Sequence, residues 1–388
     1  MFPWKLQENV ISDADLESLV TFIRQTKRFT QFTKVREFEE AFAAWQGCSH
    51  AVFVNSGSSA NLILVSSLKQ LHGWQSGDEV LVPAVTWPTT VTPVMQLGLT
   101  PVFVDVNLKD LSFDYDQLAS SISERTRGIF VAHLLGFPAD IPRIRSIVGS
   151  RDIQIIEDCC ESQGATIGGR KVGNFGRGGA FSFYWGHHMT TVEGGMACTN
   201  DTEVYKMLLL KRSHGLAREL PVQYHDELSR SNPDIDFKFL FLTDGFNVRN
   251  MEFNAVLGLE QQGRIDEIIA IRNRNYARFV GLCKRHEDEL TTLESPGISS
   301  FVLPFFFRDA ARKAEFQRVI ADEGVESRPL ISGNLLRQPF LKQHYDATRF
   351  RTADFIHTNA FYIGNNQFVN DHRLDVLERL MDGFFSKR

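Results

Sequence analysis

Between residues 51 and 158 the chain returns again and again to one kind of strand, short and apolar at consecutive positions. Ala51-Val52-Phe53-Val54, Glu79-Val80-Leu81-Val82, Val102-Phe103-Val104-Asp105, Gly128-Ile129-Phe130-Val131-Ala132 and Ile153-Gln154-Ile155-Ile156-Glu157-Asp158 all read this way. A strand with one wet face alternates polar and apolar residues; one without alternation is buried on both faces. Helical spacing lies between them, from Asn61 to Leu71 and near Ile141 to Val148. This predicts a mainly parallel sheet with helices on both sides, a three-layer α/β/α domain. Ligands of such sheets sit beyond the strands' C-terminal ends, so the residues after the strands carry the functional information.

The flanking segments fill out the architecture. Ser12-Asp13 caps a helix with apolar Leu16, Leu19, Val20 and Ile23, and a second helix runs through Val35, Phe38, Phe42 and Trp45 to Gly47. A helix from Met251 to Ile271 is predicted to lead into a smaller C-terminal α+β domain. That domain has a strand over Phe301 to Phe307 and helices over Lys313 to Glu323 and Leu374 to Phe384. The chain of 388 residues then divides into an N-terminal arm with the large domain, 1–255, and the connecting helix with the small domain, 256–388.

A formal net charge of −5 argues against a nucleic-acid surface, while leaving room for a small anion in a local pocket. The five cysteines are scattered, without the spacing of a disulfide framework or a metal site. The N-terminus lacks a leader's apolar core, and no apolar run is long enough to span a membrane. A cytoplasmic protein without a membrane partner is expected.

The residues after the strands are chemically particular. Gly57-Ser58-Ser59 opens a helix with free amides and hydroxyls, a cradle for phosphate or simply a close-packed cap. Asp158 ends an apolar strand, where its carboxylate needs a partner such as a protonated ring nitrogen, or caps a turn. Trp87 could lie flat on a planar ring or belong to the core. Further on, Ser182 begins a stretch that carries His187 and His188 and closes on Glu193-Gly194-Gly195. Neighbours in an extended chain point to opposite faces, so one histidine is expected to face the site as an acid or base. No carboxylate or cysteine at ligand spacing supports a metal.

Together these pieces resemble the fold-type I, pyridoxal-phosphate-dependent sugar aminotransferases of nucleotide-sugar metabolism, the DegT/DnrJ/EryC1/StrS family. The resemblance covers nearly the whole chain. It rests on Phe38-Glu39, Ser56 to Ala60, Gly77-Asp78-Glu79, Pro83 to Thr90, Glu157-Asp158, Gly164-Ala165, Ser182-Phe183, Glu193-Gly194-Gly195, His214-Gly215 and Gly245 to Arg249. It implies that Asp158 pairs with the cofactor's ring nitrogen, Trp87 stacks on the ring, and Gly57, Ser58, Ser59 and Ser182 hold the phosphate. It implies that Asn247 reaches the cofactor of a second subunit, making a homodimer with shared sites. Glu161 stands where the family often has Gln near the ring hydroxyl. His214, Arg249 and Arg328 become candidate substrate contacts, with a surface salt bridge the other reading of Arg328.

One position departs. The family's cofactor-binding Lys falls five residues after the Ser and six before the Glu of Glu-Gly-Gly, and both counts land on His187. A histidine cannot hold the cofactor covalently, so pyridoxal phosphate and pyridoxamine phosphate are expected to bind without a covalent link, with the imidazole kept as a base. Within the family this change marks sugar 3-dehydratases, which release ammonia rather than an aminosugar. The branch with an iron–sulfur cluster needs cysteines that are missing between Thr199 and Asn250. The metal-free branch acts on GDP-4-keto-6-deoxy-D-mannose with glutamate as amino donor, on the way to colitose of the lipopolysaccharide O-antigen. Glu157 to Ser162, Arg328-Pro329 and Ser332-Gly333-Asn334 resemble it in detail. An ordinary aminotransferase, an iron–sulfur dehydratase and a non-catalytic regulator are the competing readings.

Overall fold

The computed structural model describes residues 3–386. Met1 and Phe2, part of the stretch read for a leader, and the last two residues of the C-terminal segment lie outside it. Helix α1 (Asp13–Gln25) starts in a capping box, in which Ser12 accepts from the Asp15 amide and Asp15 from the Ser12 amide. Helix α2 (Thr33–Gln46) stops at Gly47, whose φ of +77° suits glycine.

Seven strands make the large sheet: β1 (His50–Val54), β2 (Glu79–Pro83), β3 (Thr100–Val104), β4 (Thr126–Ala132), β5 (Gln154–Asp158), β6 (Gly178–Ser182) and β7 (Gly195–Thr199). Their order is β1-β7-β6-β5-β4-β2-β3. Only β7 runs against its neighbours; the four remaining pairings are parallel. Val80, Val82, Phe130 and Ile156 face one core with helix α3 (Gly57–Leu71). Leu81, Ile129, Val131 and Ile155 face another with Leu118, Ile141 and Ile144. Both faces are dry, hence the unbroken apolar runs. The same alternation parts Glu157 from Asp158 and brings Asp158 out on the α3 side of the sheet's edge.

Where one helix was expected from Met251 to Ile271 there are two, α4 (Glu252–Gln262) and α5 (Ile265–Lys284). The chain turns at Gly263 and Arg264, and Arg264 reaches back to Asp15 at 2.8 Å. Apolar spacing continues across this break, so periodicity cannot reveal it. The expected division at 255/256 falls inside α4, whose buried Ala255, Val256 and Leu257 belong to a helix packed on α1 and α2.

The small sheet is antiparallel throughout: β8 (Leu290–Thr291), β9 (Val302–Phe307), β10 (Ser327–Pro329) and β11 (Ala360–Gly364), in the order β8-β9-β11-β10. Trp4 lies on this sheet. Trp4, buried, donates from its indole to Gly364 O at 3.0 Å and exchanges backbone hydrogen bonds with Gly324 and Glu326. From there residues 5–11 cross like a strap to the Ser12–Asp15–Arg264 anchor on the other domain. Among the described residues no helix is long and apolar enough to cross a membrane.

Candidate active site

A cavity of about 430 Å³ opens where the parallel strands end. Its floor comes from the loops after β1, β2, β4, β5 and β6. Arg328, Pro329, Ile331 and Tyr362 of the small domain and Gln7 of the strap complete the wall.

On one side lies the start of α3. A Cβ at Gly57 would sit 2.6 Å from the Ser182 Cβ, so only glycine lets the helix approach Ser182. Ser56 takes the amides of Ser59 and Ala60. Those of Gly57 and Ser58 meet no acceptor among the described residues and line the cavity. With the Ser182 hydroxyl they form an anion cradle at a helix N-terminus. Ser59 lies outside the cavity lining, its hydroxyl bound to Asn55 Oδ1 at 2.6 Å. A side chain at Gly195 would collide with the Ser56 carbonyl, which explains the second glycine of Glu193-Gly194-Gly195. That turn is further held by Asn250 and Asn254, whose amides donate to Glu193 O at 3.2 and 3.0 Å. Val192 beside it has φ +68°, a strained placement for a β-branched residue.

Asp158 lies at the bottom. Asn61 Nδ2 and Thr90 Oγ1 donate to its Oδ2 at 2.8 and 2.7 Å, and the Cys160 amide to its Oδ1 at 3.1 Å. An ionised carboxylate has about four acceptor sites, so one more donor can enter from the cavity. Its neighbour Glu157 faces away and is spoken for by the amides of Gly173, Phe175 and Gly176 and by His133 Nε2. His133 Nδ1 in turn accepts from the Ala139 amide. Of the described residues, His133, Glu157 and Cys159 alone gather potential metal-ligand atoms, and these hydrogen bonds already engage the first two. Trp87 lines the mouth with 56% of its surface exposed, which removes the core reading.

Residues 184–188 form a turn rather than extended chain, with the His187 amide donating to Tyr184 O at 3.0 Å. The two histidines part all the same. His188 is buried, 3.1 Å from Ser299 Oγ, away from the cavity lining. His187 lines the cavity, its ring packed on Phe301 with centroids 5.1 Å apart. Its Nδ1 is buried without a partner. Burial, opposed by the Cys160 backbone and aided by the charge of Arg272, pushes the imidazole down to about 4. Among the described residues no lysine lines this cavity. Glu161 stands nearby and accepts from the Leu135 amide at 2.9 Å. Burial pushes its carboxyl up to about 7, the Leu135 bond opposing and the Asp158 charge adding.

Arg328 is exposed on β10 and lines the cavity. It makes no ion pair with a described carboxylate and contacts Tyr362 instead. His214, Asn247 and Arg249 are not brought to the cavity of their own chain. His214 and Asn247 are exposed, and Asn247 and Arg249 bridge to Ser213 and to Val54 at the sheet's edge. Sequence reasoning missed Asn61 as the partner of Asp158, and Gln7 and Tyr362 as wall residues. Thr90 lay in a marked stretch without an assigned role; Gln7 and Tyr362 have no local signal, because only the tertiary fold brings them near.

Residues 11–380 match the model of the DegT/DnrJ/EryC1/StrS aminotransferase family. The chain belongs to that family. Among relatives within it, the chain is 33% identical to GDP-4-keto-6-deoxy-D-mannose 3-dehydratase of Yersinia pseudotuberculosis, over 99% of this chain and 98% of that protein. Its fold superposes with a TM-score of 0.91 on the E. coli GDP-4-keto-6-deoxy-D-mannose-3-dehydratase described with bound hydrated PLP, at 31% identity over 98% of this chain and all of that one. A structure of GDP-4-keto-6-deoxymannose-3-dehydratase with a trapped PLP–glutamate geminal diamine matches with a TM-score of 0.88 and 31% identity, covering 97% and 100%. The large, mainly parallel sheet is the one the strand pattern predicts, and the family is the one the motifs resemble.

Proposed function

We propose that this chain is a 3-dehydratase that uses pyridoxal phosphate and its amine form to remove the C3 hydroxyl of GDP-4-keto-6-deoxy-D-mannose or a close nucleotide-linked 4-keto-6-deoxyhexose. Glutamate serves as amino donor and ammonia is released. The observation that carries this reading is His187. It occupies the family's lysine position, faces the cavity, and has no lysine of the described residues beside it in the lining. An ordinary aminotransferase needs that lysine. An iron–sulfur dehydratase needs a cysteine cluster, and among the described residues no three cysteines lie within ligand reach of one another.

The cavity fits the cofactor. Two free amides and the Ser182 hydroxyl suit a phosphate, Asp158 has acceptor capacity to spare, and the exposed indole of Trp87 suits a flat ring. When bound, the cofactor supplies an electron-accepting ring and an amine that takes up the sugar's C4 ketone. The protein's part is binding, orientation and proton transfer. Gly57, Ser58 and Ser182 grip the phosphate, with Ser59 closing the helix end behind them. Asp158 keeps a proton on the ring nitrogen, and Asn61 and Thr90 fix the angle of its carboxylate. Glu161, held near neutrality, can donate a proton or a hydrogen bond where a Gln amide would serve in relatives. His187, uncharged at neutral pH, takes the proton from the cofactor's C4′ carbon. Arg328 faces the substrate side as a partner for a phosphate or a carboxylate.

His214, Asn247 and Arg249 act in this reading from a second copy of the chain, because none of them lines the cavity of its own chain. Exposed Phe239, Phe241 and Met251 flank that strip, as a subunit interface would require. The place of action is the cytoplasm, which suits five free cysteines. The test is purified protein with PLP, glutamate and GDP-4-keto-6-deoxy-D-mannose, following ammonia and 2-oxoglutarate. An accumulating aminosugar, or no ammonia, overturns the assignment.

A further inference from the structure

Behind His187, on the side away from the cavity, lies a buried arginine with no acid to balance it. Arg272 on α5 is 2% exposed. Its Nη1 donates to Phe301 O at 2.9 Å and its Nη2 to His187 O at 3.2 Å, while Nε has no partner. Burial alone moves its pKa, down to about 9, with no carboxylate contributing; it remains charged at neutral pH. The backbone of Arg272 belongs to a dense polar knot. Asn365 donates to Arg272 O at 3.0 Å and to Ser300 Oγ at 3.0 Å, and Asn273 binds Ile298 O and the Ser300 amide. Two domains and the turn bearing His187 therefore meet at one side chain. An unpaired buried charge is costly, and a neutral side chain would spare that cost if tethering loops were its whole use.

We propose that Arg272 is a positioning residue for His187: it fixes the turn through the His187 carbonyl and sets a positive charge, unpaired by any described carboxylate, behind the ring. This rests on the reading of His187 as the proton acceptor. Other charged or titratable groups line the two cavities that His187 borders, His133 after β4 among them. Tyr184 and His188 share its loop, Asp158, Cys160 and Glu161 end β5, Glu193 lies across the mouth, Arg328 and Tyr362 come from the small sheet, and Glu8 from the strap. Arg272 is the charge that bears on it, and it acts in the same direction as burial.

Histidine-labelled full chain, with and without PLP, allows the His187 ring to be titrated by NMR, with His187→Asn assigning the signal. The parent ring should stay uncharged well below the ordinary histidine range. Arg272→Met should raise its proton affinity a few-fold, with burial keeping most of the shift. Arg272→Lys keeps the charge and loses the two-pronged grip, so it should leave the titration low while lowering kcat for ammonia release more than it alters KM. A parent ring that charges at the ordinary value, or an Arg272→Met ring that titrates like the parent's, overturns the proposal. Should Arg272→Met fail to fold, the parent titration and the Lys variant decide. Activity retained by His187→Asn would instead sink the base assignment and leave the titration standing.

Discussion

His187 and Glu161 stand on opposite sides of the proton ledger. The unfolded chain protonates its histidine near 6.5 and the fold near 4, so in that window the unfolded state binds more protons. Stability therefore rises with pH there and is lost as pH falls from 6.5 toward 4. Glu161 behaves in reverse: with 4.5 as its ordinary value and about 7 in the fold, it makes stability fall as pH rises across that range. Denaturant melts at stepped pH should show the acid-side loss reduced in His187→Asn and the neutral-side loss reduced in Glu161→Gln; unchanged slopes in both would contradict the environments described. In catalysis, His187→Asn should lower ammonia release about 10²–10⁴-fold, the usual worth of a positioned base, with PLP still bound. His187→Lys should restore the covalent link. Borohydride treatment with PLP should then leave a fluorescent pyridoxyl group on the variant and none on the parent.

At the level of elements, the turn 193–195 and the start of α3 act as one piece, since Gly195 has no room for a side chain against Ser56. Gly195→Ala should cost about 1–3 kcal/mol by overpacking and weaken phosphate binding together with it, read as a raised PLP dissociation constant beside a lowered melting temperature. Strands buried on both faces announce themselves, which is why β1 to β5 were legible and Asp158 could be placed at an edge. The histidine at position 187 was legible because two fixed anchors count to it. The small sheet was not: β8 and β10 have two and three residues, β11 follows directly on a helix that ends at Asn359 with no turn residue between, and only β9 stands out. The break at Gly263–Arg264 was invisible for a related reason. A salt bridge to Asp15, 249 residues away in sequence, decides it.

At the level of the whole molecule, Asn247 tests whether the site is shared. His187→Asn and Asn247→Ala subunits should each be weakly active alone. Mixed after reversible dissociation, or co-expressed, they should recover about a quarter of parental activity, since half the dimers are hybrids with one intact site of two. No recovery would place Asn247 outside the chemistry or within its own subunit. Light scattering should report a dimer throughout.

The strap held by Trp4 also bears on how the molecule comes into being. Its indole closes on Gly364, 360 residues further along the chain. Trp4 thus finds its seat only after the 360 residues up to Gly364 have been made. Such a distant closure carries a large entropic cost and belongs to the end of folding rather than its start. Gln7, which rides on the strap, would then enter the wall of the cavity last. The site would be finished only once Gly364 and its strand are in place.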